Sequence, residues 1–399
     1  MKRRDFLKQS VFASAGSMLI PAFLKPFELI AKSSLSGHKN LVIIQLSGGN
    51  DGLNTIVPYG NDVYYQLRNT IAIPQSEIIK LNDMQGLNPT LAPLKEIYDQ
   101  GWMSIINNVG YPNPNRSHFR SMDIWQTASD SNQFLSTGWI GRYLDSNCQM
   151  CKYPYNAIEV DDTLSLTLKG DSKKGIALQD PDKLFRTTNT PFFGKLIEHD
   201  KEHLDEDNLG YLYKTMIETY SSASYIKETT KNYDNNFVYP ESSFAKKLKT
   251  VARFILSGLD TRVYYVSLSG FDTHVNQMAQ QKKLFTQFSE GMNAFVKELN
   301  NNKKLEDTLV IAFSEFGRRV AQNASRGTDH GTANVMMLFG GQLKKQGIYN
   351  DAPDLNDLDA GDLKYKVDFR EIYATVLNKW LNVDNKLILP DSTGTMDFI

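Results

Sequence analysis

Cysteine is almost absent. The chain has 399 residues and two cysteines, Cys148 and Cys151, so no disulfide framework holds it together and a packed core must do so. The pair stands as Cys-Gln-Met-Cys with no second pair and no histidine close by. That makes a zinc site built on it a weak reading beside a local disulfide or two unremarkable thiols. Charge of one sign is also missing: 44 Lys and Arg meet 45 Asp and Glu, for a formal net charge of −1. No basic field draws in nucleic acid, and the short mixed Lys/Arg runs read as solvated faces. There is no internal repeat and no low-complexity segment. No uninterrupted apolar run reaches the ~20 residues of a spanning helix. Histidine is scarce, with six in all, so the places where histidines fall carry information.

What is present is globular. Hydrophobic residues make up 41% and charged residues 22%, and the length suits one large α/β domain or two ordinary ones. The N-terminus reads Arg3-Arg4-Asp5-Phe6-Leu7-Lys8, followed by a weakly apolar stretch from Val11 to Leu24 that Lys25 and Glu28 interrupt. This pattern is that of a twin-arginine export signal. Ala31 to Ser36 suits its end, and retention as a membrane anchor is the alternative. Residues 1–36 are therefore set apart from the fold, the Tat translocase is an expected partner, and the mature chain is expected to be periplasmic or extracellular.

Residues 37–399 read as one domain. Leu41-Val42-Ile43-Ile44 is a continuous apolar run, the pattern of a strand buried on both faces. It leads into Ser47-Gly48-Gly49-Asn50-Asp51-Gly52, a glycine-rich loop. Helices are predicted over Asp62 to Arg68 and Thr90 to Asp99, and Met103 to Val109 is the next strand, so Leu41 to Val109 reads as a β-α-β unit. A Pro/Asn loop then delivers Arg116-Ser117-His118-Phe119-Arg120 to the start of a helix that runs to about Thr127. Ala157 to Val160 and Leu164 to Leu168 read as short strands, and Phe192 to Tyr220 is helical in pattern. Residues 150–240 together are expected to form an insertion over the sheet. Ser243 to Leu256 is an amphipathic helix. Arg262 to Ser267, Thr308 to Phe313 and Asn334 to Phe339 are strands. Between the first two, Leu284, Phe288, Met292, Phe295 and Leu299 recur at helical spacing as a core-facing stripe. Phe369 to Leu381 is a closing helix.

The predicted strand ends share a chemistry. They present Asp51, then Ser117 and His118, then Asp272 and His274, then Glu315, with Asp329 and His330 in the following loop. Carboxylates with imidazoles are ligands for Zn²⁺, Mn²⁺, Mg²⁺ or Ca²⁺. A hydroxyl at a helix start between Arg116 and Arg120 is placed to meet an anion. Each residue also has a plain structural reading. Asp51 suits a turn, Ser117 a helix N-cap, His274 a backbone hydrogen bond, and Glu315 an ion pair with Arg318 or Arg319. Their joint placement at strand ends of one sheet, where open α/β folds bind ligands, favours a site.

The motifs LSGGNDGLN, RSHF, GFDTH, SEFGRR and GTDHGTAN, in this order after a Tat signal, resemble an uncharacterised secreted bacterial family of the alkaline phosphatase and sulfatase superfamily. The resemblance spans about Leu41 to Leu381. It implies an α/β fold, a three-layer α/β/α sandwich with a mostly parallel central sheet, alkaline phosphatase-like. It also implies one or two divalent metal ions bound by Asp51, Asp272, His274, Glu315, Asp329 and His330. Ser117 would be the nucleophile, His118 a proton donor or ligand, and Arg116, Arg120 and Arg318 would hold a small anionic ester. The sequence departs from the superfamily where an Asp-His pair is usual, because Glu315-Phe316 stands there and phenylalanine cannot ligate. The implied activity is metal-dependent hydrolysis of phosphate or sulfate esters. The alternatives are a phosphoryl transferase or mutase, and a binding or assembly protein on the same fold.

Overall fold

The computed structural model describes residues 38–146, 153–191, 208–233, 236–389 and 394–399. The export segment and both cysteines lie outside the described residues. Gly37–Ile399 forms one compact unit, and no helix among the described residues is long and apolar enough to cross a membrane.

A nine-stranded sheet organises the unit. Its strands are β1 (Asn40–Ser47), β2 (Met103–Gly110), β3 (Ala157–Glu159), β4 (Ile176–Ala177), β5 (Val263–Ser269), β6 (Thr308–Phe313), β7 (Asn334–Gly340), β8 (Gly347–Ile348) and β9 (Val367–Asp368). The spatial order is β8-β2-β7-β6-β1-β5-β3-β4, with β9 also pairing with β2. In this sheet only β7 runs antiparallel, between β6 and β2. The carboxyl ends of β1, β2, β3, β5 and β6 therefore share one edge, and the amino end of β7 meets them there.

β1 lies at the centre because its sequence tolerates no water on either side. All its residues but Ser47 are buried, and Ile43 is paired with Tyr265 on one flank and Ile311 on the other. Its side chains alternate between two cores. Val42, Ile44 and Leu46 pack beneath α1 (Pro93–Asp99), α3 (Ser243–Leu256) and α4 (Gln277–Asn301). Leu41 and Ile43 face α2 (His118–Thr127) and α5 (Phe369–Thr375). On that second face Trp125 is stacked between Phe313 and Phe369, with ring centroids 5.0 and 4.2 Å away. The α4 stripe expected from Leu284, Phe288, Met292, Phe295 and Leu299 is buried throughout.

β1 and β2 are parallel strands of one sheet, as the expected β-α-β unit requires, with β6 and β7 between them. Three other expectations need correction. Leu164 to Leu168 is not a strand. Leu166–Leu168 is a 3₁₀ turn whose backbone bonds close locally, and Lys169 O accepts from Gly138 N–H at 2.8 Å. The closing helix changes to a π turn at Val376–Trp380. Within residues 150–240, β3 and β4 extend the central sheet at its edge rather than lying over it.

Candidate metal centre

The loops at the shared edge are held close by glycine. Gly48 and Gly49 have φ of +120° and +78°, a region that L side chains rarely adopt. A Cβ on Gly48 would lie 2.4 Å from Asp272 N, and one on Gly49 would lie 2.3 Å from the Phe316 ring. The loops after β1, β5 and β6 can therefore pack backbone to backbone.

Between them sits Arg318, whose side chain is 0% exposed. Its Nε donates to Gly49 O at 2.6 Å, Nη1 to Thr328 O at 2.9 Å, and Nη2 to Phe271 O and Asp272 Oδ1 at 2.9 Å each, with Gly48 O as a further acceptor. One guanidinium thus ties together three loops. From the sequence Arg318 is only one arginine of a pair. Its role as an internal staple has no local signal, because every acceptor comes from elsewhere in the chain.

Asp272 is the meeting point of the site. Its Oδ1 lies 3.0 Å from His274 Nε2, 3.1 Å from His330 Nε2 and 3.4 Å from His118 Nε2. His274 Nε2 and His330 Nε2 are 2.9 Å apart. The other ring nitrogen of each histidine has an oxygen partner. His118 Nδ1 lies 2.9 Å from Glu315 Oε1, His274 Nδ1 3.3 Å from Asp329 Oδ1, and His330 Nδ1 2.8 Å from the Arg116 carbonyl. A carbonyl or an ionised carboxylate only accepts, so a ring that donates through Nδ1–H turns its Nε2 toward Asp272 as a potential ligand atom.

Three nitrogen lone pairs and a carboxylate oxygen facing one another repel unless a cation or extra protons stand between them. Burial works to raise the Asp272 pKa, but the Arg318 guanidinium, hydrogen-bonded to Oδ1, helps to outweigh it and the carboxyl falls to about 2. The hydrogen bond to Glu315 raises the His118 pKa against its burial. His118 Nε2 is buried without a hydrogen-bond partner. In a tetrahedral ion with bonds of ~2.0–2.1 Å, donors sit about 3.3 Å apart. The spacings of His118 and His330 from Asp272, 3.4 and 3.1 Å, are of that size. The outer hydrogen bonds to Glu315, Asp329 and Arg116 O are the kind that fix ligand histidines.

The other expected residues are placed differently. Asp51 is 1% exposed; its Oδ2 accepts from Arg68 Nη1 and Gln277 Nε2, both at 2.6 Å, while Oδ1 has no partner. Glu315 accepts from Gly48 N–H at 2.9 Å and holds His118, not Arg318 or Arg319. Asp329 orients His274 and accepts from Asn323. Among the described residues the metal-type donors that gather are His118, Asp272 and His330, with His274 joined through Asp272; no second group of this kind forms. Phe316, which replaces a ligating residue, packs its ring on His118 and His330, with centroids 4.9 and 4.6 Å away.

Ser117 is exposed at the N-cap of α2 and makes no side-chain capping bond. The flanking arginines are engaged away from it. Arg116 pairs with buried Asp362. Arg120 donates to the carbonyls of Asp130, Ser131 and Gln133 and lies over the Phe134 ring.

A family model described as "Protein of unknown function (DUF1501)" matches residues 103–396. The chain belongs to this family. The matched span holds His118, Asp272, His274, Glu315 and His330, while Asp51 and Arg68 precede it. No curated protein matches in sequence. Solved structures similar to the chain include Ps i-CgsB, at 11% identity and a TM-score of 0.43 over 90% of this chain and 75% of that one. A protein in the alkaline phosphatase superfamily from Vibrio parahaemolyticus gives 11%, 0.42, 90% and 69%. The sulfatase PsFucS1 from Pseudoalteromonas sp. gives 10%, 0.41, 94% and 73%. Those likenesses are low, and the three-layer α/β/α architecture stands on the sheet and helices themselves.

Proposed function

We propose that this DUF1501 chain is a metal-dependent hydrolase of phosphate or sulfate esters, exported by the Tat route, with one divalent ion held by His118, Asp272 and His330. The observation that carries the proposal is the gathering of these three side chains, with Asp272 Oδ1 3.4 Å from His118 Nε2 and 3.1 Å from His330 Nε2, and with His274 Nε2 adjoining at 3.0 Å. Imidazoles with a carboxylate suit Zn²⁺ or Mn²⁺ better than Ca²⁺ or Mg²⁺, which favour all-oxygen shells. A bound ion supplies a Lewis acid that polarises a phosphoryl or sulfuryl oxygen. Ser117 is the candidate nucleophile, one residue before His118 and free of a capping bond. Its Oγ, giving up its proton, would bond to phosphorus or sulfur as the ester's alcohol leaves with a proton, and water would then release inorganic phosphate or sulfate and restore the hydroxyl. The first-turn N–H groups of α2 would be available to an anion. Arg318 acts by fixing Asp272, and Arg116 and Arg120 stay with their own partners.

The test is metal analysis of the purified protein, before and after chelation, together with hydrolysis of p-nitrophenyl phosphate and sulfate. We expect about one ion per chain, hydrolysis that chelation removes, loss of metal in His330→Ala, and loss of turnover with metal retained in Ser117→Ala. Undiminished hydrolysis by metal-free protein or by Ser117→Ala would sink the mechanism. A second reading has its own support: Phe316, which cannot ligate, packs on His118 and His330 where the superfamily pattern carries an Asp-His pair. Stoichiometric metal without turnover of any ester would favour that binding or assembly role. Transfer to an added alcohol acceptor in place of water would mark a transferase or mutase.

A further inference from the structure

Beside the histidine cluster lies an open cavity of about 500 Å³ at the carboxyl end of β2. Phe316 is the wall between the two, since its ring packs on His118 and His330 and also lines the cavity. Asn113 and Asn115 form one rim, and Asn115 Oδ1 holds the Ser117 N–H at 2.8 Å. Asp359, Lys364 and Tyr365 form the other. Gly110 lets that second rim approach: a Cβ there would lie 2.8 Å from Tyr365 Cβ.

We infer that this cavity binds the leaving-group side of the ester as a neutral, hydroxyl-rich unit, namely a sugar. This rests on the hydrolase reading for its link to turnover, but the ligand class comes from the cavity itself. The lining's one base, Lys364, has its ammonium paired with Asp357 outside the lining, so no free cation is offered to an anion, and Asp359 is the one acid. Each asparagine amide offers two donors and an acceptor in one plane, which matches adjacent hydroxyls. The Tyr365 ring, 40% exposed, offers a face to the C–H surface of a pyranose. The volume lies within the ~300–1,000 Å³ of sites that enclose small organic ligands. An apolar leaving group would leave these amides without partners.

Saturation-transfer NMR on the purified chain tests the inference without turnover, using glucose, galactose, N-acetylglucosamine and their 6-phosphates as probes. We expect transfer to at least one sugar, weakened about tenfold or more in Tyr365→Ala and in Asn113→Ala. Asn113 is exposed, so the second variant is expected to keep its circular dichroism spectrum if the first fails to fold. In active protein the ratio of kcat/KM for a sugar 6-phosphate to that for p-nitrophenyl phosphate should fall by a similar factor in both variants. No transfer to any probe, or equal transfer by wild type and folded variants, overturns the sugar site. Sugar binding by a chain that hydrolyses no ester supports the site and removes the hydrolase reading. Ester hydrolysis without sugar binding does the reverse.

Discussion

Arg318→Lys is the sharpest probe of how the centre is built. Lysine keeps the positive charge but offers a point in place of a planar fork. It cannot reach Gly49 O and Thr328 O, on opposite sides of the guanidinium, at the same time as Asp272. At least two buried carbonyls then lose their partner, and each such loss costs about 1–3 kcal/mol. Asp272 is half exposed, so its share is small. For two carbonyls we expect a loss of about 2–6 kcal/mol. Urea unfolding of chelator-treated protein measures it apart from any bound ion. With m on the order of 3 kcal/mol/M, the midpoint should fall by about 1 M or more. Metal affinity should fall as well, by about 10–100-fold, because Asp272 loses the group that orients it. A stability loss below about 1 kcal/mol would refute the staple.

Two further outcomes follow from buried acids. Glu159, at the end of β3, accepts from Ser165 N–H at 2.6 Å, but burial dominates and pushes its pKa from 4.5 up to about 7. The protonated form is the one the fold favours, so its contribution is present below about pH 4.5 and is lost as pH rises through 7. The span from 4.5 to about 7, at ~1.4 kcal/mol per pH unit, amounts to about 3 kcal/mol. Glu159→Gln should therefore lose about that much less stability than wild type between pH 5 and pH 8 in urea titrations; parallel curves would contradict the assignment. Arg68→Met should cost about 3–5 kcal/mol by stranding the buried Asp51 carboxylate, while bound metal stays at the wild-type level. A fall in bound metal would instead place Asp51 among the ligands.

Much of the sheet was legible because its strands are buried on both faces. Thr308–Phe313 and Ser243–Leu256 carry patterns that the fold reproduces residue for residue. Leu164 to Leu168 misled because a short apolar run does not distinguish a strand from a turn packed on a helix. For the site, residue type and strand-end position pointed to Asp272, His274, His330 and His118. No local signal separated them from Asp51 and Glu315, which are equally acidic and equally placed. What separates Asp51 from Asp272 is how each meets an arginine in the fold. Arg68 takes Asp51, and Arg318 binds one Asp272 oxygen yet leaves it open to three imidazoles.

By itself, then, the sequence determined which chemistry gathers at one edge of the sheet, because burial pattern and glycine loops are local properties. It also determined membership in the DUF1501 family through residues 103–396. Only the tertiary structure decided which carboxylates are neutralised inside and which stay available, which ring nitrogen of each histidine faces Asp272, and that Arg116 and Arg120 are committed elsewhere. Those are questions of partners that stand 10 to 270 residues away along the chain, and no fixed spacing encodes them.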